Sequence, residues 1–488
     1  MRTCWARPPS LDQRLAPARA PPGPGGGAAS SAEASLAAAR LAAVFGLGFG
    51  DCGKGRFTDL LCRRTGAHTV VRYNGGGQAG HTVVLSDGRG HTFSQFGSGT
   101  FLSGVRTVLA RTVVLHPTAL GVEAARLHAL GLPDALDRLL IDARCRVTTP
   151  YHQALGRLRE LARGEGAHGT CGAGFGETVR QDLEAPELTL RAGELATPGV
   201  IRERLECLRH RFAGCLPEGI RGPAAEAERR IFLDPEVPLR WMAWIADLLP
   251  RLRIQSEDPL AERLALEGTV IFEGAQGMLL DEALGFHPHT TWSSAGPKAA
   301  AALAKEAGHQ GGLLRFGALR AYLTRHGAGP LPTEDPGLDG LQEPHNNGEG
   351  WQGRFRRGHP DGVLLDYASR AAGPLDGLLL SHVDAVGPDL PLRWCEAYAE
   401  PSASPEAGLC RTDTRGLIVG LVPPSRLDLD HQTLLTGLLG RVVPVWGTTI
   451  RRPEDLMRRM ETSAGAPVLL ASHGPAAGME TWRGDLGL

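Results

Sequence analysis

The chain has 488 residues, long enough for one large domain or for two or three ordinary ones. Its 52 basic and 53 acidic residues nearly cancel, which argues against general electrostatic binding to nucleic acid or to an anionic membrane, so any anion must be bound by a local cluster. No run approaches the roughly 18 apolar residues of a membrane-spanning helix. Nine scattered cysteines without a CxxC pair favour reduced thiols in a cytoplasmic protein over a zinc site.

The first 37 residues are rich in Pro, Ala, Arg and Gly and lack the apolar core of a secretory signal. We expect residues 1–37 to form a disordered, low-complexity leader, because such a composition buries too little apolar surface to fold. A transit peptide and a start site assigned too far upstream fit the same composition, and the sequence leaves both open. Residues 38–488 are then expected to form the folded part of the chain.

The segment Leu41–Leu61 is an apolar run, a glycine-rich turn and a periodic segment, which predicts a strand, a phosphate-binding loop and a helix. Its loop Gly48–Lys54 fits the GxxxxGK pattern, in which backbone N–H groups hold phosphate oxygens and the lysine adds a positive charge. Gly55 stands where this pattern has the Ser or Thr that holds magnesium, so a metal needs another ligand. Asp51 is the candidate, either as that ligand or as a base.

A second glycine-rich loop follows a short β-branched run, His68–Tyr73. Three consecutive glycines, Gly75–Gly77, precede a polar cluster that includes His81. Such glycines indicate either a close approach of the backbone to a ligand or a tight turn. His81 is then either a site residue or a turn-capping or core histidine.

The middle of the chain alternates strands and helices. Strands are predicted at Thr112–Leu115 and Leu139–Asp142, and an amphipathic helix at Tyr151–Arg163. This alternation predicts an α/β fold with a large, mostly parallel sheet covered by helices. A third loop of spaced glycines, Gly169–Gly176, is either part of the site or a flexible lid. Residues 199–266 are charged with periodic leucines and are expected to be a helical insert.

Polar residues follow two further predicted strands. The strand Thr269–Glu273 leads to Gln276, which is therefore expected at the ligand crevice of an open α/β sheet. The HxH pair within Phe286–Ser294 has no third ligand at metal spacing, which argues against a metal there. The loop Gly353–Gly358 presents three arginines, whose planar guanidinium groups suit carboxylates and phosphates. The strand Gly377–Asp384 ends in a carboxylate that could read the N–H edge of a purine.

Taken together, these motifs resemble those of the adenylosuccinate synthetase family, and the resemblance covers most of residues 41–485. The family's GDEGKGK loop corresponds to GDCGKGR in this chain. Its RYxGGxNAGHT motif is similar to Arg72–Thr82, its FEGAQGxLLD to Phe272–Asp281, and its TRxGAGPxPTE to Thr324–Glu334. Several long, unrelated motifs in one order are a specific signal, and the chain is identified as a diverged member of the family.

The resemblance implies a C–N ligase of AMP biosynthesis. GTP would phosphorylate the 6-oxygen of IMP, and the amine of L-aspartate would displace that phosphate to give adenylosuccinate, GDP and phosphate. The resemblance also implies one Mg²⁺ per site and a cytoplasmic homodimer, with no nucleic-acid or membrane partner. Two alternatives stay open: a paralogous ligase for another 6-oxopurine nucleotide or amino acid, and a non-catalytic nucleotide-binding paralogue. Retention of Asp51 favours IMP, because relatives that act on guanine nucleotides typically lose this aspartate.

The same resemblance assigns the site residues. The catalytic residues would be Asp51 as the base, His81 as a donor to the transferred phosphoryl group, and Gln276 at the developing 6-oxyanion. The metal would be held by Asp51 and the Gly80 carbonyl. The GTP contacts would be Gly50, Gly53, Lys54, Gly55, Thr82, Asp384, Ser472 and Gly474. The IMP contacts would be Gln78, Thr170, Cys171, Gln276 and Thr291, and the amino-acid contacts Gln352, Arg354 and Arg356.

Several positions depart from the family pattern. Cys52 replaces an acidic loop residue, and Cys171 replaces a threonine at the IMP phosphate, where a thiol is a poorer donor. Gln352 replaces a threonine beside the amino-acid carboxylate. His382 stands in the lysine position of TKxD, which bears on stacking against guanine. Residues 408–455 lack the family's YExxPGW stretch.

The family completes its site with an arginine from the neighbouring subunit. In this chain the corresponding region, Glu177–Leu195, carries a small insertion and offers two candidates, Arg180 and Arg191. Neither is a clear match to the family's arginine.

Overall fold

The computed structural model describes residues 39–488, except 342, 344–345, 347–349, 388 and 401–407. The expected leader, residues 1–37, lies outside the described residues. Within the described part, no helix combines the length and the apolar composition needed to cross a membrane.

The secondary structure alternates strands and helices along most of the chain. The strands are β1 (Arg40–Gly46), β2 (Thr69–Arg72), β3 (His81–Val84), β4 (Gly90–Phe93), β5 (Arg106–Leu109), β6 (Val114–Leu115), β7 (Leu139–Asp142), β8 (Arg146–Val147), β9 (Arg253–Gln255), β10 (Thr269–Glu273), β11 (Leu313–Arg320), β12 (Leu323–His326), β13 (Phe355–Gly358), β14 (Gly377–Ser381), β15 (Leu392–Ala399), β16 (Cys410–Thr412), β17 (Ile418–Leu421), β18 (Val443–Ile450), β19 (Val468–Ser472) and β20 (Glu480–Trp482). The α-helices are α1 (Lys54–Thr65), α2 (Pro117–Ala129), α3 (Pro150–Arg163), α4 (Phe175–Glu184), α5 (Pro198–Ala213), α6 (Pro223–Leu233), α7 (Glu236–Leu248), α8 (Pro259–Leu264), α9 (Pro297–Glu306), α10 (Gly362–Ala372), α11 (Leu429–Leu439) and α12 (Pro453–Ala464).

One ten-stranded sheet organises the chain, in the order β20-β19-β14-β11-β1-β10-β2-β5-β7-β9. Its strands are parallel except for β20, which runs antiparallel to β19. Strand β1 lies at the centre, paired with β10 on one side and β11 on the other. The predicted α/β fold with a large, mostly parallel sheet is thus confirmed.

The apolar residues of β1 show why this sheet is covered on both faces. Ala43 and Phe45 belong to one hydrophobic cluster, whereas Ala42 and Val44 belong to another on the opposite face. All four side chains are fully buried. A continuous apolar run is the pattern of a strand buried on both faces, because successive side chains point in opposite directions.

Residues 199–266 contain most of α5 and all of α6, α7 and α8. Helices α5, α6 and α7 pack with α3 around a separate hydrophobic cluster. The rings of Tyr151 in α3 and Phe232 in α6 stack at 5.5 Å between centroids. The segment is not helical throughout, since Arg253–Gln255 forms β9 at the edge of the large sheet, beside β7.

The polar loops that matter for function follow the carboxyl ends of adjacent strands. The phosphate loop follows β1, Gln276 follows β10, and the glycine-rich segment Gly75–Gly80 follows β2. Because carboxyl ends of parallel strands meet at one edge of a sheet, these loops lie together.

Candidate functional site

A cavity of about 590 Å³ opens at this carboxyl edge of the sheet. It brings together most of the site residues predicted from the sequence. Those that line it are Gly50, Asp51, Lys54, Gln78, Gly80, His81, Thr82, Thr170, Cys171, Gln276, Thr291 and Gln352. Those outside its lining are Gly53, Gly55, Arg354, Arg356, Asp384, Ser472 and Gly474.

Three non-glycine residues of the described chain have a positive φ, and all three lie at this edge. They are Asp51 at 45°, Gln276 at 58° and His382 at 59°. A side chain in the left-handed region costs free energy, so it persists only where the surrounding structure imposes it, and such residues cluster at active sites.

Gly55 is packed against the backbone of His81. A Cβ placed on Gly55 would lie 2.8 Å from both the carbonyl carbon and the Cβ of His81. No Ser or Thr fits there, which explains why this loop lacks the hydroxyl that usually holds magnesium. Any metal ligand from the loop must therefore come from another position.

Lys54 is buried at the start of α1, with an exposed fraction of 4%. Its Nζ donates to the Gln276 carbonyl oxygen at 2.5 Å and lies 3.6 Å from the Cys52 sulfur. No carboxylate of the described residues pairs with this ammonium group, so its charge is available to phosphate oxygens.

Asp51 contacts His326, a residue that the sequence analysis did not single out. The Asp51 Oδ2 atom lies 3.1 Å from His326 Nε2. Burial alone raises the pKa of Asp51. The hydrogen bond and charge of His326, together with the charges of Arg320 and Lys54, outweigh burial and bring the pKa below its usual value. Asp51 is therefore held ionised, as a general base requires.

His81 is buried and contacts the fully buried Glu273, its Nδ1 lying 2.7 Å from Glu273 Oε1. Burial, helped by the charge of Arg72, lowers the pKa of His81 to about 4 despite the carboxylate. Burial also raises the pKa of Glu273, but the charges of His81 and Arg72 bring it below its usual value. The pair therefore consists of an ionised Glu273 that accepts from Nδ1–H, which aims Nε2 away from Glu273.

Two glutamine side chains in the cavity lack partners. The Oε1 of Gln276 and both amide atoms of Gln78 are buried without a hydrogen bond to the described residues. A Cβ placed on Gly75 would lie 3.5 Å from Gln276 Oε1 and 3.6 Å from Gln78 Nε2, so the two amides face the same small volume. Unpaired buried amides are costly, which points to a polar ligand between them.

The loop before α4 forms another wall of the cavity. The N–H groups of Gly169 and Thr170 both donate to Glu160 Oε1, at 2.6 and 3.1 Å. Cys171 follows, and burial raises the pKa of its thiol, so it stays protonated as a weak donor. Thr291, in the segment after β10, also lines the cavity.

The arginines predicted to clamp the amino acid have partners of their own. Arg354 is exposed and its guanidinium contacts Asp339 Oδ2 at 3.1 Å. Arg356 contacts Glu334 Oε2 and the Gly329 carbonyl oxygen, both at 2.7 Å. Gln352 alone of the three predicted residues lines the cavity.

The residues expected at the guanine base lie beyond the phosphate loop, at the ends of the adjacent strands β14 and β19. Asp384 is exposed in a short turn, and Ser472 Oγ donates to the Gly474 carbonyl oxygen at 3.0 Å. His382 Nε2 accepts from Arg320 at 2.7 Å. Burial and the charge of Arg320 lower the pKa of His382 to about 3, so this imidazole is neutral.

The oxygen donors near the phosphate loop suit a magnesium ion. Asp51 offers a carboxylate and Gly80 a backbone carbonyl, and Mg²⁺ prefers such oxygen ligands together with phosphate oxygens and waters. The described residues contain no group of three His, Cys, Asp or Glu side chains that could hold a metal by themselves. An ion here would therefore take the rest of its ligands from a nucleotide and from water.

Sequence reasoning found the loop residues but missed their partners. Glu273 carried a usable signal, because a charged residue at the end of a buried apolar strand needs a buried partner. His326 carried none, since it occupies the variable position of the TRxGAGPxPTE motif.

Three comparisons place the chain among known proteins. The sequence profile of the family described as adenylosuccinate synthetase matches residues 43–408. The adenylosuccinate synthetase of Marinomonas sp. (strain MWYL1) is 30% identical over 439 residues, which cover 88% of this chain and 95% of that protein.

Two solved structures share the fold. The fully ligated adenylosuccinate synthetase from Plasmodium falciparum has a TM-score of 0.68 and 18% sequence identity, covering 91% of this chain and 100% of that chain. The succinoaminodeoxyadenylate synthetase of cyanophage S-2L, solved with dGMP and dATP, has a TM-score of 0.56 and 16% identity, covering 92% of this chain and 97% of that chain.

Proposed function

This chain belongs to the adenylosuccinate synthetase family, and on that premise we propose that its cavity places IMP beside Asp51 and the GTP phosphates on the loop that contains Lys54. The chain is a C–N ligase of purine biosynthesis. GTP phosphorylates the 6-oxygen of IMP, and aspartate then displaces the phosphate to give adenylosuccinate, GDP and phosphate.

The observation that carries the proposal is the Asp51 carboxylate, which lies inside a phosphate loop with its Oδ2 3.1 Å from His326 Nε2. The 6-oxygen of a 6-oxopurine is a poor nucleophile while N1 carries its proton. Asp51 accepts that proton, and the electron pair of the N1–H bond moves through C6 to the oxygen. The oxygen attacks the γ-phosphorus and GDP leaves. The aspartate amine then attacks C6, and phosphate leaves.

Lys54 and His81 balance the charge of the transferred phosphoryl group. Lys54 supplies an ammonium that pairs with no carboxylate of the described residues, and the loop amides supply N–H donors. A phosphoryl oxygen beside Nε2 of His81 favours the protonated imidazole, because an opposite charge raises its pKa. His81 then donates to Glu273 through Nδ1 and to the phosphoryl group through Nε2.

The paired amides of Gln78 and Gln276 are assigned to the purine of IMP. Both amide atoms of Gln78 and the Oε1 of Gln276 are buried without a partner among the described residues, and both side chains line the cavity. Gln276 is the donor for the developing 6-oxyanion. Thr170, Cys171 and Thr291 are assigned to the IMP phosphate.

The remaining subsites extend beyond the cavity. Gln352 is assigned to direct contact with the amino acid. Arg354 and Arg356 bind the carboxylates of the amino acid only after releasing the protein carboxylates with which they are paired. The rest of the GTP site is assigned to Gly50, Gly53, Gly55, Thr82, Asp384, Ser472 and Gly474. Asp51 and the Gly80 carbonyl would hold one Mg²⁺, which supplies charge neutralisation at the phosphates. We also propose that the protein is cytoplasmic and forms a homodimer.

The test is a product assay. Purified chain given IMP, GTP, magnesium and aspartate is expected to form adenylosuccinate, separated by chromatography. Parallel reactions replace IMP by GMP, GTP by ATP, and aspartate by other amino acids, because each replacement tests one alternative ligase. If no reaction joins an amino acid to a purine, the chain is a non-catalytic nucleotide-binding protein.

Asp51→Asn removes the base but keeps the size and polarity of the side chain. We expect turnover to fall by a factor of about 10² to 10⁴, the range for general base catalysis. Nucleotide affinity, measured by calorimetry, should stay close to that of the unmodified chain. Retained turnover would exclude Asp51 as the base.

A further inference from the structure

We propose that Arg180 binds the phosphate of IMP within its own chain. This inference rests on the proposed function, because it takes IMP as the ligand of the cavity. In the family, an arginine that completes the site comes from the neighbouring subunit.

Arg180 lies in the second turn of α4 and lines the cavity. Its guanidinium carbon is 5.6 Å from the centre of the Trp292 ring. The five N–H donors of this guanidinium make no hydrogen bond or ion pair with the residues that the structure describes. Stacking on an aromatic ring fixes the position of a guanidinium while leaving its edge free for an acceptor.

The carboxylates nearest to Arg180 are already paired with other arginines. Glu177 Oε2 contacts Arg159, and Glu184 Oε2 contacts Arg211 at 3.2 Å. The described residues thus supply no counterion to Arg180, and burial lowers its pKa. A half-buried cation in this state favours an anionic ligand.

The position of Arg180 selects the phosphate of IMP over the other anions of the reaction. A Cβ on Gly176, in the first turn of α4, would lie 3.3 Å from Cδ1 of Trp292, so this turn packs beside the residue that follows Thr291. No side chain of the described residues caps the N-terminus of α4, which begins four residues after Cys171 in the same glycine-rich segment, so its first N–H groups favour an anion near this part of the cavity. The GTP phosphates belong to the loop around Lys54, which is a different wall.

Arg191, the other candidate arginine, has a structural role in this chain. It contacts Asp182 Oδ1 at 2.5 Å and the Arg144 carbonyl oxygen at 3.3 Å. It does not line the cavity. Arg191 is therefore a matched control for Arg180.

The first experiment measures kinetics and binding for Arg180→Met, Arg180→Lys and Arg191→Met. We expect Arg180→Met to raise the KM and the calorimetric Kd for IMP by roughly 10- to 100-fold, as for loss of a charged hydrogen bond. The KM for GTP should stay unchanged, Arg180→Lys should restore part of the affinity, and Arg191→Met should keep the IMP affinity. A folded Arg180→Met variant with unchanged IMP affinity would overturn the proposal.

A second experiment separates a role within the chain from a role across subunits. Arg180→Met and Asp51→Asn chains are coexpressed with different tags, and the doubly tagged fraction is assayed. If Arg180 acts in its own chain, neither subunit has both residues, and activity stays at the level of the parent variants. Recovery of activity would show that Arg180 serves the neighbouring subunit. An unmodified chain that binds IMP without turnover would contradict the proposed function and still leave the binding test of Arg180 intact.

Discussion

At the scale of single residues, Gly55 decides which metal ligands the phosphate loop can offer. Its α-carbon faces the His81 backbone so closely that any side chain must displace either α1 or β3. The absence of a hydroxyl at position 55 is therefore a packing requirement, and under the proposed function Asp51 is the side chain of the loop that would hold the metal.

Gly55→Ser, which restores the usual loop residue, is expected to harm the enzyme. Overpacking against His81 should cost about 1–3 kcal/mol of unfolding free energy and should lower turnover, because His81 moves. Gly199→Ser is the control, since Gly199 is also the second residue of a helix but has open space around its α-carbon. Urea unfolding and the product assay measure both effects. A Gly55→Ser variant as stable and active as the control would refute the packing argument.

The predictable residues were those in local motifs. Asp51, His81 and Gln276 could be placed from the sequence because glycine patterns set the backbone around each of them. His326 could not, because it reaches Asp51 from β12, far along the chain, and its neighbours in sequence carry no signal for that contact. The partners of Arg354 and Arg356 are likewise set by tertiary packing.

At the scale of elements, the start of α3 is set by a buried histidine. The backbone N–H of Thr149 donates to Nδ1 of His152 at 3.1 Å, which forms one half of a capping box. His152 is 1% exposed, and burial lowers its pKa to about 4. Protonation of Nδ1 removes this acceptor, so acid releases the cap.

His152→Gln keeps an acceptor for the cap and removes the titration. In the unmodified chain, the unfolded state binds a proton at His152 near pH 6.5 and the folded state only near pH 4. Stability is therefore full above about pH 6.5 and is lost as pH falls toward 4. Between pH 7.5 and pH 5, the unfolding free energy of the unmodified chain should fall by about 2 kcal/mol more than that of the variant.

Chemical denaturation at the two pH values measures this difference. His128→Gln, at an exposed position of α2, is the control and should follow the unmodified chain. Equal pH dependence in His152→Gln and the control would show that other groups carry the acid sensitivity.

Strand predictions succeeded where the apolar run was buried and continuous, as in β7 and β10, whose bounds match the predicted ones. The strand predicted at Thr112–Leu115 is shorter, because a turn from Ala110 to Val113 precedes β6. Strand β9 was missed, since its three residues lie at a sheet edge inside a charged segment and show no apolar pattern.

At the scale of the whole molecule, the sheet depends on β1, its central strand. A chain of residues 38–488 is expected to keep the melting temperature and turnover of the full chain, because the low-complexity composition of residues 1–37 offers little apolar surface for packing. A deletion through Phe45 should prevent folding, since it removes the strand between β10 and β11. Thermal melts of both chains test this, and a large loss of stability in the shorter deletion would contradict it.

The central position of β1 also constrains biosynthesis. Its neighbours β10 and β11 begin at Thr269 and Leu313, so β1 leaves the ribosome long before either partner exists. During that interval both hydrogen-bonding edges of an apolar strand are unpaired, which favours aggregation. Chains that terminate before Thr269 therefore lack both strands that pair with β1.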